Sequence, residues 1–290
     1  MITRRCSEQR FFLRPDDETT RIVTYILARA LRRYGVELHA VVVMSNHIHL
    51  VVTDVLGNLP EFLRYLDSQI ARAMNRKLGR REAFWDNQRC NWVKLRAAED
   101  VLKAIAYVHA NPVKAGLTKR AAYWPGLSSW GQGHGSGALG RMGRYTVVRP
   151  KGFFRATEAN SQREELQLTK PTLCDAMSNA DYREAVAYYT REEEQQARAE
   201  VTYVMGAKRV CQQDPFSAPK GAAKARLPGM HPNVSGHLRE VLLEGIREYR
   251  AFQQAYREAW ECYRYDPTAL FPAGTYWMRI YAHVNVAPDS

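Results

Sequence analysis

Met44-Ser45-Asn46-His47-Ile48-His49-Leu50-Val51-Val52 places two imidazoles two residues apart at the start of an apolar run. In a strand successive side chains alternate faces, so His47 and His49 point one way and Ile48 and Leu50 the other. Upstream, Leu38-His39-Ala40-Val41-Val42-Val43-Met44 is a second β-branched run. Ser45-Asn46 has the length of a two-residue turn, which predicts a hairpin. The histidines then sit at one rim of a sheet, as half of a metal site that solvent and substrate can reach. A His-x-His also arises in strands without any ligand, so the pattern needs a partner elsewhere in the chain.

That partner is Ile105-Ala106-Tyr107-Val108-His109-Ala110-Asn111-Pro112-Val113-Lys114-Ala115-Gly116-Leu117. It follows a helical pattern that opens at Ala97-Ala98-Glu99-Asp100 and continues through Val101, Leu102, Ile105 and Val108. Pro112 disfavours helical geometry in the residue before it, which predicts a helix end close to Asn111 with Tyr107 in the last turn. Tyr107 and Asn111 are four apart and share a face, while His109 points elsewhere. The bland reading makes Tyr107 a core aromatic and Asn111 a helix-terminal residue tolerant of unusual backbone angles.

Taken together, Ser45-Asn46-His47-Ile48-His49 and Tyr107-Val108-His109-Ala110-Asn111-Pro112-Val113-Lys114-Ala115-Gly116-Leu117 resemble the single-tyrosine HUH transposases, in particular the REP-associated tyrosine transposases of the IS200-like group. Further matching pieces are Arg4-Arg5-Cys6, Phe11-Phe12-Leu13, Tyr34-Gly35-Val36, Phe84-Trp85 and Tyr123-Trp124-Pro125, so the resemblance spans roughly residues 1–130. It implies cleavage and joining of single-stranded, hairpin-forming DNA through a covalent tyrosine intermediate. His47 and His49 match the family's histidine pair, Tyr107 its nucleophile, and Asn111 the polar residue that completes the metal site. The resemblance also implies residues ahead of Thr3-Arg4-Arg5 that form most of the first strand. A chain beginning at Met1 therefore has a short first strand or an internal start. Relatives work as homodimers that exchange tyrosine helices or as monomers, and both arrangements stay open.

The residue types suit the chemistry. Two imidazoles and an amide oxygen leave a divalent ion its full positive charge and open positions, as a Lewis acid on a phosphodiester requires. Mg²⁺ and Mn²⁺ both accept such ligation, Mn²⁺ taking imidazole more readily. The five cysteines lie far apart with no Cys-x-x-Cys, which argues against a zinc ribbon and fits a reducing cytoplasm. Two further readings stay live: a domesticated DNA-binding protein of the same fold without turnover, and a metal-dependent phosphodiesterase that leaves Tyr107 idle.

Charge supports a polyanionic partner. Lys and Arg number 42 against 30 Asp and Glu, a net charge of +12. Residues 1–144 hold 23 basic and 12 acidic side chains, whereas residues 145–290 hold 19 and 18. Excess positive charge concentrated in one half is the footprint of a phosphate-backbone binder. Arg64, Arg72, Arg76, Lys77, Arg80 and Arg81 cluster along and just beyond one predicted helix, and Arg4, Arg5, Arg72, Arg76, Arg89, Lys94 and Lys114 are candidate DNA contacts. Trp85, Trp92, Tyr123, Trp124 and Trp130 lie among basic residues and could stack bases, although the alternation around Trp92 predicts a buried ring.

The pattern predicts an α+β first domain, residues 1–130, with an antiparallel sheet and packed helices of ferredoxin-like or RRM-like type. Its expected elements are an opening strand, a helix over 17–34, strands over 38–44 and 47–53, a helix over 59–78, a strand over 89–95 and a helix over 97–110. Six glycines between Gly131 and Gly143 predict a linker over 131–144. Residues 145–290 read as a mostly helical accessory domain with short strands at 145–148 and 165–168 and helices over 181–208 and 238–263. Glu192-Glu193-Glu194-Gln195-Gln196 reads as a solvated face, and Leu238, Leu242, Ile246, Tyr249, Phe252 and Tyr256 as a core stripe. His231, His237 and His283 have no ligand-like spacing. No apolar run of about 18 residues exists to span a membrane, and Met1-Ile2-Thr3-Arg4-Arg5 does not open a signal peptide.

Overall fold

The computed structural model describes residues 1–87, 90–131, 142–153, 162–219 and 239–288. Helix α1 (Asp17–Tyr34) starts where Asp16 accepts a hydrogen bond from the Thr19 backbone N–H at 2.7 Å, and it stops at Gly35, whose φ of 62° closes the helix in the left-handed region. Strands β2 (Val36–Val43) and β3 (His47–Asp54) form the expected hairpin, closed by Met44 N–H donating to the His47 carbonyl at 2.8 Å. Strand β1 (Ile2–Arg5) lies on the far side of β3, pairing Thr3 with His49 and Arg5 with His47. Helix α2 (Leu59–Lys77) follows β3. Strand β4 (Asn91–Trp92) adds to the outer edge of β1, and helix α3 (Ala98–Lys114) comes next.

The alternation along β3 decides which helices pack where. Ile48 and Leu50 join Ile22, Val23 and Ile26 of α1 and Phe62, Leu66 and Ile70 of α2 in one core. On the opposite face, Val42 and Val51 pack with Val101, Ile105 and Val108 of α3. His47 and His49 therefore share their side of the sheet with α3.

The sheet is larger than its first three strands and is not purely antiparallel. Strands β5 (Gly143–Val148) and β6 (Arg163–Leu168) form an antiparallel pair, and β6 runs parallel to β2 at Leu38–Leu168. The order is β4-β1-β3-β2-β6-β5, a mixed six-stranded α+β sheet. Leu166 and Leu168 are buried in the α1 core, and buried Glu164 holds Arg32 of α1 at 2.8 Å, which anchors the added strands to that face. Gly143 and Arg144, expected in the linker, belong to β5; residues 132–141 lie outside those described.

Helix α4 (Asn179–Glu200) covers α3 through Tyr182 and Val186, and α5 (Ala207–Cys211) adds Val210 to the same core. The expected single helix over 181–208 is thus two, separated at 201–206 and restarted after Gly206, whose φ is 87°. Helix α6 (Arg239–Tyr263) packs Tyr256, Ala259 and Tyr263 around Phe271, beside strands β7 (Leu270–Phe271) and β8 (Asn285–Val286), with α7 (Tyr276–Tyr281) between them. Of the predicted stripe on α6, Tyr256 is core, Tyr249 is exposed, and Leu238 lies outside the described residues. His231 and His237 also lie outside them, while His283 is exposed. Among the described residues, no helix is long and apolar enough to cross a membrane.

Three local expectations fail for identifiable reasons. Helix α3 continues through Pro112 to Lys114 and ends at Gly116, φ 64°, with Ala115 N–H donating to Asn111 O and Leu117 N–H to Pro112 O. A Cβ at Gly116 would come within 2.8 Å of the Tyr203 carbonyl, so chain approach as well as backbone angle requires glycine there. Trp92 is 43% exposed because β4 is a two-residue edge strand rather than a covered one. Glu193 and Glu194 are not simply solvated: Glu193 pairs with Lys114, and Glu194 is buried, accepting the Ala121 backbone N–H at 2.6 Å.

Candidate active site

Because Thr3, Arg5, His47 and His49 are cross-strand partners, their side chains leave the same face of the sheet. The His47 and His49 rings stand edge to face with centroids 4.7 Å apart, and the Tyr107 ring meets His49 at 5.7 Å in the same T-shaped manner. Asn111, one turn beyond Tyr107 on α3, brings Oδ1 to 3.3 Å from Nε2 of His47. The imidazole pair, the phenol ring and the carboxamide, 58 or more residues apart in sequence between the two groups, thus border one small region.

Ring orientation on the imidazoles is set by Asn46, just before the histidine pair, and by Thr3 across the strand pair. Asn46 donates from Nδ2 to the Gln9 carbonyl at 3.1 Å, which turns its Oδ1 toward Nδ1 of His47 at 2.7 Å. Thr3 Oγ1 lies 2.8 Å from Nδ1 of His49. Burial, reinforced by the Arg5 charge, lowers the His47 pKa to about 4. Burial, the neighbouring His47 and Arg5 hold His49 well below the ordinary imidazole value. Both rings are neutral near pH 7 and carry one proton each.

This protonation state provides a test of metal fit. With the His47 proton on Nδ1, facing Asn46 Oδ1, Nε2 presents a lone pair toward the lone pairs of Asn111 Oδ1. Two acceptors pointed at each other at 3.3 Å repel unless a cation lies between them, and neutral imidazole is the ligating form. The donor set of two imidazoles and an amide oxygen therefore fits a divalent ion. Among the described residues no three His, Cys, Asp or Glu side chains converge on one point, so any ion here relies on the carboxamide.

Lys114, one further turn along α3, places Nζ 4.9 Å from the Tyr107 ring centroid and pairs with Glu193 of α4 at 2.6 Å. His109 points to the other side of the helix, as expected, and is buried against Ser129 Oγ at 3.0 Å and the Trp130 ring.

Residues 5–111 match the family model described as Transposase IS200 like. The likeness to an IS200-like transposase lies in this segment, a little over a third of the chain. No curated protein and no solved structure matches the chain. The matched segment runs from Arg5 on β1 to Asn111 on α3, so it encloses the imidazole pair, Tyr107 and the carboxamide, while α4 and Glu193 lie beyond it.

The candidate DNA contacts divide sharply. Arg5 is exposed and its charge reaches both histidines. Lys114 is at the tyrosine. Lys94 is exposed on the segment after β4. Arg4 instead turns to Asp67 of α2 at 2.9 Å and stacks on Trp85 at 5.6 Å, because its position in β1 faces the α1–α2 core. Arg72 and Arg76 are exposed on α2, on the other face of the sheet from Tyr107. Arg89 lies outside the described residues. Among the aromatics, Trp85 and Trp124 are buried, Trp124 donating its indole N–H to Val43 O at 3.1 Å, whereas Tyr123 is exposed. The orienting roles of Thr3 and Asn46 were absent from the sequence reading; the cross-strand register of Thr3 with His49 was the signal for the first.

Proposed function

We propose that this protein is a DNA transposase that cuts and rejoins single-stranded DNA, hairpin-forming as in the REP-associated group, with Tyr107 as nucleophile and His47, His49 and Asn111 as ligands of Mg²⁺ or Mn²⁺. The observation that carries the reading is the approach of Asn111 Oδ1 to His47 Nε2 at 3.3 Å, beside the Tyr107 ring. When bound, the ion supplies Lewis-acid polarisation of a phosphodiester oxygen. Tyr107 supplies the phenolic oxygen: an Oη–P bond forms, the P–O3′ bond breaks, the phenol proton passes to solvent and the departing strand keeps a 3′-hydroxyl. The 5′-phosphate stays on the tyrosine, and the reverse attack by a 3′-hydroxyl rejoins strands with no nucleotide cofactor. Lys114 and Arg5 add positive charge beside the reacting phosphate.

The tyrosine helix is held within one chain. Lys114–Glu193, His109–Thr190 at 3.4 Å, and Glu194 on the Ala121 N–H all tie α3 and the segment after it to α4. These contacts favour a site completed in cis over exchange of α3 between two copies. The five free cysteines fit work in a reducing compartment.

The test is incubation of the full chain with single-stranded hairpin DNA and Mn²⁺, resolved on a denaturing gel. A protein–DNA adduct that disappears in both His49→Ala and Tyr107→Phe supports the proposal. Cleavage that survives Tyr107→Phe, or tight binding with no adduct, overturns it.

A further inference from the structure

A cavity of about 640 Å³ is walled by Ser7, Glu8, Arg10, Phe12, Arg80 and Phe216 among others, and Gln9, next to wall residue Glu8, links it through Asn46 to His47. Its walls combine features that a purely structural cleft does not need. Phe216, brought from the C-terminal half of the chain, is 46% exposed although aromatic. Its backbone is fixed, since Arg10 Nη1 donates to the Phe216 carbonyl at 2.7 Å and Phe11 N–H donates to Ser217 O at 2.9 Å. Phe216 meets buried Phe12 edge-on at 6.2 Å, which leaves its exposed surface to the cavity. The Arg80 guanidinium covers Phe12 at 3.7 Å from the ring centroid, and its Nη1 is buried with no hydrogen-bond acceptor.

We infer that this cavity binds an unpaired nucleobase of the DNA strand, held against Phe216 and Arg80. The inference rests on the proposed single-stranded DNA reading. The occupant is a base rather than a phosphate because the wall's two guanidiniums, Arg10 and Arg80, already pair with Glu8 and Glu82, and Asp86 adds a further negative charge. A base edge with both a carbonyl oxygen and an N–H suits a wall that carries both guanidinium and carboxylate groups. Thymine, guanine and cytosine have such edges and adenine does not. Stacking on an aromatic ring or a guanidinium plane is the usual way a splayed base is held.

The cavity is coupled to the histidines through its own wall. Glu8 and Gln9 have φ of 52° and 56°, left-handed values that non-glycine residues adopt at a cost and that concentrate at functional sites. The Gln9 carbonyl formed by that turn receives Asn46 Nδ2, and Asn46 in turn faces His47. One short segment thus borders the cavity and orients a ring of the site, as a strand passing through both would require.

The experiment is fluorescence anisotropy on the full chain without divalent metal, using dT15 and a 15-mer of abasic deoxyribose phosphate that carries the same charge. Wild type is expected to bind dT15 more tightly than the abasic strand. Phe216→Ala is expected to weaken dT15 binding about tenfold, the scale of one lost base–aromatic stack, and to leave abasic binding unchanged. Arg80→Gln shifts dT15 in the same direction, and Phe216→Trp restores it. Since Phe216 is exposed, its Ala variant should melt with wild type, which separates lost stacking from lost fold. Equal weakening on both strands, or no weakening on either, overturns the cavity assignment while leaving the nuclease reading intact. Failure of wild type to bind either strand overturns both.

Discussion

Glu193 of α4 holds Lys114 of α3 at 2.6 Å, and through that pair a helix outside the matched segment reaches the surroundings of Tyr107, the proposed nucleophile. Lys114 is then fixed over the Tyr107 ring instead of sweeping through solvent. Both partners are partly exposed, so the pair itself contributes under about 1 kcal/mol to stability. Lys114→Ala should slow adduct formation about tenfold, as loss of a partly screened charge beside a developing phosphoryl transition state, with little change in melting temperature. Lys114→Arg should recover part of the rate. Single-turnover adduct formation checks this, and an unchanged rate in Lys114→Ala would remove the residue from the site.

Glu194, the next residue, has a structural role. Its buried carboxylate accepts the Ala121 N–H at 2.6 Å and faces Arg198 at 3.3 Å. Glu194→Ala leaves a buried donor unsatisfied and should destabilise the protein by about 1–3 kcal/mol. Glu193→Ala should change stability by under about 1 kcal/mol. Paired urea melts of the two variants test this contrast, and equal destabilisation would contradict it.

Acid should weaken the junction between β2 and β6. His39 is buried, its Nδ1 3.0 Å from the Thr169 carbonyl and its Nε2 2.8 Å from Thr53 Oγ1. Burial lowers its pKa to about 4, against the opposing pull of the Thr169 carbonyl. The folded value lies below the unfolded value of about 6.5, so the unfolded chain takes up the proton first. The resulting stability is present in full above pH 6.5 and is lost as pH falls toward 4, on the order of 3 kcal/mol. Buried His109, lowered to about 3 by desolvation, acts in the same direction. His39→Gln should therefore flatten, though not abolish, the fall in melting temperature between pH 6.5 and 4. An unchanged slope would count against this origin.

Metal affinity can be read without any cleavage. A ligand that binds only the folded state at a hundred times its Kd stabilises by about 2.7 kcal/mol. Mn²⁺ should raise the melting temperature of wild type and Tyr107→Phe alike, and should do so for neither His49→Ala nor Asn111→Leu. Stabilisation that persists in both ligand variants would place the ion elsewhere.

Where one segment carried its own signals, the sequence made the fold legible. Asp16 and Gly35 bracket α1 at the expected residues, and the alternation in β3 put both histidines on one face. The error at Pro112 came from a local rule: the preceding-residue restriction was outweighed by burial of Pro112 and Val113 and by the Gly116 closure. The remaining differences concern long-range partners that periodicity does not encode. Glu193 and Glu194 look like one solvated charge run, yet one finds a lysine 79 residues away and the other a backbone N–H. Arg4 and Arg5 form an adjacent basic pair, and strand alternation sends the first to Asp67 and the second toward the histidines. Strands β5 and β6 were legible as strands, but their attachment to β2 rests on one parallel register and on Glu164 reaching Arg32.

The central claim is that the Tyr107 oxygen becomes the covalent link to DNA. Wild type should be incubated with single-stranded hairpin DNA and Mn²⁺, digested with nuclease and protease, and mapped by tandem mass spectrometry. The account predicts a nucleotide 5′-phosphate on the peptide containing Tyr107. Modification on any other residue, or a cleaved strand with Tyr107 unmodified at every time point, would contradict it.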